Sequence, residues 1–149
     1  MAMTDQELKL ALDNEEPRYR DIVARLGDSD VPRVRALAES GDVALASKAV
    51  YLASLLTQAQ AHDIVIRAAD SANELVRVAS ATALPNLPTA PRERAAERLL
   101  TEANPAVSKM VLRAIGPASA TLAPKLRDLE SRTTLPELKA LVREKLQNN

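Results

Sequence analysis

Asp42, Asn73 and Asn104 stand at intervals of 31 residues, and each is followed by an apolar stripe of the same phase. After Asp42 the stripe is Leu45, Ala49, Leu52, Ala53 and Leu56. After Asn73 it is Val76, Ala79, Ala83, Leu84 and Leu87, and after Asn104 it is Val107, Met110, Val111, Ala114 and Ile115. One period later come Leu138, Leu141, Val142 and Leu146. Steps of three and four are the helical period, and self-similarity at such an interval marks a stack of copies. Between these stripes a second set keeps the interval: Val34, Val65 and Ala96, then Leu37, Ala68 and Leu99, then Ile64, Ala95 and Leu126. Each unit is therefore expected to be a helical hairpin that hides its apolar faces only by stacking on its neighbours.

Helix punctuation agrees. Asp42, Asn73 and Asn104 are placed to cap the helices they precede, and Pro105 suits a first helical position. Thr4 with Glu7, and Thr134 with Glu137, have capping-box spacing. Gly27, Gly41 and Gly116, the only glycines, fall where helical patterns stop. The pattern predicts helices over 5–13, 17–26, 31–40, 43–56, 59–70, 74–84, 90–103, 105–115, 121–131 and 135–147, in one domain spanning 1–149 with 1–16 as an N-terminal capping segment and 17–147 as repeats. No alternating β-branched run supports a strand.

The run from Asn73 to Leu84, Asn-Glu-Leu-Val-Arg-Val-Ala-Ser-Ala-Thr-Ala-Leu, with Asp70 before it, resembles the first helix of a HEAT-like repeat. Val107 to Gly116 is similar, with Ser108 where Arg is usual; the copy after Asp42 departs further, with Ala46 in the Arg place and Lys48 where Ala is expected. The resemblance covers residues 17–147 and implies an all-α, right-handed α-α superhelix, a short solenoid of about four to five hairpins. HEAT-like proteins include adaptors, chromophore lyases and DNA-repair glycosylases, so the resemblance speaks to fold more than to activity.

Composition narrows the function. There is no Cys and one His, and no Gly-rich phosphate loop, Gly-x-Ser-x-Gly or His-Glu-x-x-His pattern. Catalytic residues, a metal and a cofactor are therefore not expected. The HEAT-like iron hydroxylases use several His-Glu pairs as ligands, and none occurs here. His62 and Asp63 read as a solvated pair more simply than as a paired base. Glu93 and Glu97, interleaved with Arg94 and Arg98, read as exposed intrahelical ion pairs more simply than as a cation site. No apolar run is long enough for a membrane span, and the first residues do not form a leader pattern, so a cytoplasmic protein is expected.

Net charge is zero, yet residues 1–42 hold ten acidic and six basic side chains, leaving the remainder four positive. That asymmetry fits weak head-to-tail self-association or merely two unevenly solvated ends. Basic residues gather in the second helices: Arg33 and Arg35, Arg67, then Arg92, Arg94 and Arg98, then Lys125 and Arg127. Because second helices line the concave face of HEAT-like solenoids, the resemblance implies that Arg35, Arg67, Arg94, Arg98 and Arg127 face a ligand. The plainer alternative is a ladder of ion pairs between repeats, with Asp70, Glu97 and Glu102 as acids. A protein-interaction module or adaptor for a protein or acidic peptide is the expected function. The alternative is a phosphate-gripping nucleic-acid binder, disfavoured by zero net charge and the absence of Trp and Phe.

Overall fold

The computed structural model describes residues 3–101 and 104–147, which contain ten α-helices and no strand. They are α1 (Asp5–Leu12), α2 (Tyr19–Ala24), α3 (Val31–Ala38), α4 (Val43–Leu55), α5 (Ala59–Ala68), α6 (Glu74–Ala83), α7 (Thr89–Leu99), α8 (Pro105–Ala114), α9 (Ala123–Arg132) and α10 (Pro136–Gln147). All ten expected helices form. The largest shortfall is α2, whose N-terminus has no side-chain cap at Arg18 to hold the first turn.

The helices lie in two rows. Helix α4 packs on α6, α6 on α8 and α8 on α10, while α3 packs on α5 and α5 on α7. Helices α1 and α2 close the first row against α4, where the rings of Tyr19 and Tyr51 meet at 4.9 Å. The repeat interval governs burial. Leu45, Val76, Val107 and Leu138 are all buried, and so are Ala49, Ser80, Val111 and Val142, and Leu56, Leu87 and Ala118. Side chains one interval apart thus occupy one environment in successive copies, which is how a stack of otherwise half-apolar hairpins makes a continuous core. Alanines are numerous in the core: Ala46, Ala49, Ala53, Ala83, Ala95 and Ala96 are nearly or wholly inaccessible, and their small side chains let helices pack closely without a large aromatic.

Caps form as the sequence suggests. Leu45 N–H donates to Asp42 Oδ1 (3.1 Å), Leu75 N–H to Asn73 Oδ1 (2.9 Å) and Ala106 N–H to Asn104 Oδ1 (2.9 Å). Thr4 and Glu7 exchange two hydrogen bonds of 3.1 Å. The second capping box does not form. Glu137 instead accepts from Lys109 Nζ at 2.5 Å, and Thr133 Oγ1 receives the Leu135 N–H at 3.2 Å. Charge attraction to a lysine of α8 outcompetes the local box. The glycines do lie between helices, but none has a positive φ, so the left-handed cap is not used. At Gly27 the reason for the turn is its neighbour: Asp30, buried, accepts the Gly27 N–H at 2.8 Å and pairs with Arg33 at 3.1 Å.

The stack slips at α9. Helix α9 starts 18 residues after α8 (105 to 123), whereas α5 and α7 follow their first helices by 16 (43 to 59) and 15 (74 to 89). The connection to α10 is correspondingly short, so α10 returns to register. Among the described residues α9 packs chiefly on α10 and meets the end of the α3–α5–α7 row through Arg132 on the Leu100 carbonyl. Arg127, expected beside Arg94 and Arg98 on one face, is exposed on α9, while Leu126, one interval beyond the buried Ala95, and Leu129 turn inward.

Candidate functional site

A groove of about 570 Å³ runs across the second row, over the N-terminal half of α5 and between α3 and α7. Arg35 of α3 borders it on one side and Arg94 of α7 on the other. Ala59, Ile66, Pro88 and Pro91 supply apolar lining, with His62 and Asp63 between the arginines. The repeat produces this placement: Asp63 and Arg94 are one interval of 31 apart, and so occupy neighbouring positions on α5 and α7.

Arg35 is loosely held. Its Nη2 lies 3.4 Å from the Gln60 carbonyl oxygen and 3.9 Å from Asp63 Oδ2, and its buried Nε has no partner among the described residues. Arg94 is exposed and makes no hydrogen bond or ion pair within the described residues. His62 departs from the expected solvated pair. It is 8% exposed, and its Nε2 is 2.7 Å from the Leu56 carbonyl oxygen. A carbonyl only accepts, so Nε2 carries the proton and donates. The ring thereby ties the start of α5 to the end of α4 and serves as groove wall, not as a base beside Asp63.

The other expected site residues go elsewhere. Arg67 pairs with Glu39 at 3.5 Å, and Arg98 pairs with Asp70 at 3.2 Å while donating to the Ile66 carbonyl at 3.3 Å. Arg127 does not line the groove. The structure therefore brings Arg35 and Arg94 to one groove, engages Arg67 and Arg98 between copies, and leaves Arg127 apart on α9. Of the acids expected in a ladder, Asp70 takes part, Glu97 has no ion pair within the described residues, and Glu102 lies outside them.

Five ion pairs share one spacing. Asp5–Arg33, Arg35–Asp63, Glu39–Arg67, Asp70–Arg98 and Lys109–Glu137 each join residues 28 apart, one repeat less about one helical turn. A second pattern joins a cation to a helix C-terminus 32 residues earlier: Arg98 on Ile66 and Arg132 on Leu100 (3.0 Å). Carbonyls at a helix end carry partial negative charge and lack intrahelical donors, so guanidinium groups are well placed there. Arg132, not Arg127, is thus the next member of the row, and the α9 slip explains why residue counting missed it.

No known protein family matches this chain, and no curated protein matches it either. What the site can do must follow from its own chemistry. Among the described residues no group of three or more His, Cys, Asp or Glu side chains converges as a metal site, and no helix is long and apolar enough to cross a membrane. The groove offers two guanidiniums, one carboxylate and a small-residue apolar floor. Guanidinium forks are suited to orienting an anion, and an apolar floor to receiving short aliphatic groups beside it.

Proposed function

We propose that this chain is a HEAT-like repeat adaptor of the cytoplasm whose α3–α5–α7 groove binds an acidic, partly apolar segment of a partner protein. One observation carries the reading: Arg94 stands free at the edge of an apolar-floored groove opposite the weakly engaged Arg35, while Arg67 and Arg98 are occupied by carboxylates. The two groove arginines carry an excess positive charge over Asp63, favouring an anionic ligand. Apolar contact with Ile66, Ala59 and the two prolines supplies affinity, and the guanidinium forks supply orientation.

The test is fluorescence anisotropy at low salt with a labelled peptide in which Glu alternates with Leu, against a control carrying Gln for Glu. Wild-type protein should prefer the Glu peptide, and Arg94→Glu should abolish that preference with helicity and melting unchanged. Equal binding of both peptides, or an unchanged preference in Arg94→Glu, refutes the reading. A parallel mobility-shift titration with a DNA duplex should give no shift.

A further inference from the structure

We propose that Asp63 sets the specificity of this groove by competing, as a resident carboxylate, with an incoming one for Arg35. The inference rests on the acidic-ligand reading above and assigns the residue that tunes it. Three observations lead to it. Asp63 belongs to the set of ion pairs spaced at 28 residues, yet its contact is the longest of them at 3.9 Å, against 3.5, 3.2, 2.7 and 2.5 Å for the others. Its side chain is about half exposed (51%) within the groove lining, so a ligand has access to the same guanidinium. Its equivalent in the next copy is Arg94, whose positive charge makes the groove a row of cation, anion and cation in place of a simple basic patch.

This arrangement has a selective consequence. A ligand carboxylate reaching Arg35 must displace or share the Asp63 contact and stand near a like charge, whereas one reaching Arg94 meets no internal competitor within the described residues. Weakly acidic segments gain little at Arg35. Segments with two carboxylates, one for each arginine, still bind through Arg94, so Asp63 lowers affinity for carboxylate ligands at Arg35, leaves neutral ones unaffected and thereby sets how strongly the groove prefers acidic segments. Asp63 acts through Arg35 and is a positioning residue, not a ligand contact.

The experiment uses the same Glu–Leu peptide and its Gln control with wild-type protein, Asp63→Asn, Arg35→Gln and the double variant. Asp63→Asn should tighten the Glu peptide roughly two- to fivefold, the scale of a half-exposed ion pair. It should leave the Gln peptide unchanged, and the gain should vanish in the Arg35→Gln background. If wild-type protein prefers the Glu peptide but Asp63→Asn shows no gain, or improves both peptides alike, the inference is overturned while the acidic-ligand reading survives. If neither wild type nor Asp63→Asn prefers the Glu peptide, both fall together. Melting of Asp63→Asn at the wild-type temperature separates a change in binding from a change in folding.

Discussion

Arg98 Nη1 lies 3.2 Å from Asp70 Oδ2 although the two residues are 28 positions apart, and the same spacing joins Arg67 to Glu39 one copy earlier. The Asp70 side chain is 59% exposed, so water and salt screen the pair and its energy is small. Asp70→Ala should cost about 1 kcal/mol or less. Arg98→Ala also strips a donor from the Ile66 carbonyl at the end of α5 and should cost more, about 1–2 kcal/mol. Urea denaturation of both single variants and the double variant checks this. Additive costs would show that the two side chains do not interact in solution.

Ala83 is fully buried in α6, whereas Ala79 on the same helix is partly accessible. Ala83→Leu should overpack the contact between rows and cost about 1–3 kcal/mol, with Ala79→Leu costing less because its side chain has room to turn outward. Thermal and urea unfolding should rank the two in that order. The reverse ranking would mean that the row-to-row spacing is looser at Ala83 than its burial indicates.

Two buried serines should respond with opposite sign. Ser80 Oγ donates to the Val65 carbonyl at 2.9 Å, so Ser80→Ala removes a satisfied bond at a cost of about 1 kcal/mol. Ser108 is 1% exposed and its Oγ has no partner among the described residues. Ser108→Ala deletes an unsatisfied hydroxyl and should leave stability unchanged or raise it by about 1 kcal/mol. Differential scanning calorimetry of the pair decides the matter.

The pH profile has two limbs. The Thr4 backbone N–H and hydroxyl at the helix start hold the Glu7 carboxyl below its ordinary value, and the Lys109 ammonium does the same for Glu137. A depressed carboxylate pKa means that the unfolded chain binds protons first. The stabilisation is therefore complete above the ordinary value of 4.5 and is lost as pH falls through the lowered folded values. Burial raises the Tyr19 phenol above its ordinary 10.0, so its contribution is complete below that value and is lost as pH rises through the folded one. Urea midpoints from pH 2 to 11 should fall at both ends. Glu137→Gln should flatten part of the acid limb.

The repeat and its punctuation were legible because both are local. Asp42, Asn73 and Asn104 cap within three residues of themselves, and Leu45, Val76, Val107 and Leu138 share one environment because one interval returns each to the same height in the stack. The groove was legible only in part. Arg35 and Arg94 stood among five arginines that looked alike by helix and charge, and the 28-residue offset that occupies Arg67 and Arg98 becomes visible only when acids are counted one repeat less a turn away. His62 was misplaced because its partner, the Leu56 carbonyl, belongs to a turn rather than to a side-chain pattern. Asp30 went unnoticed for the same reason, since its role is to hold the Gly27 N–H and Arg33.

Helical period, capping chemistry and the 31-residue interval determined, without coordinates, the ten helices of the described residues and the recurrence of their apolar faces, α9 excepted. Each of those properties depends on residues a few positions apart or on identical copies. Which arginines remain open to a ligand was decided by tertiary structure. Connection length shifts α9 by about a turn, lateral packing of α3, α5 and α7 sets the reach between copies, and that reach either joins a cation to a carboxylate or leaves it facing the groove. A guanidinium's chemistry is the same at every position; its availability depends on what the neighbouring helix places within about 4 Å of it.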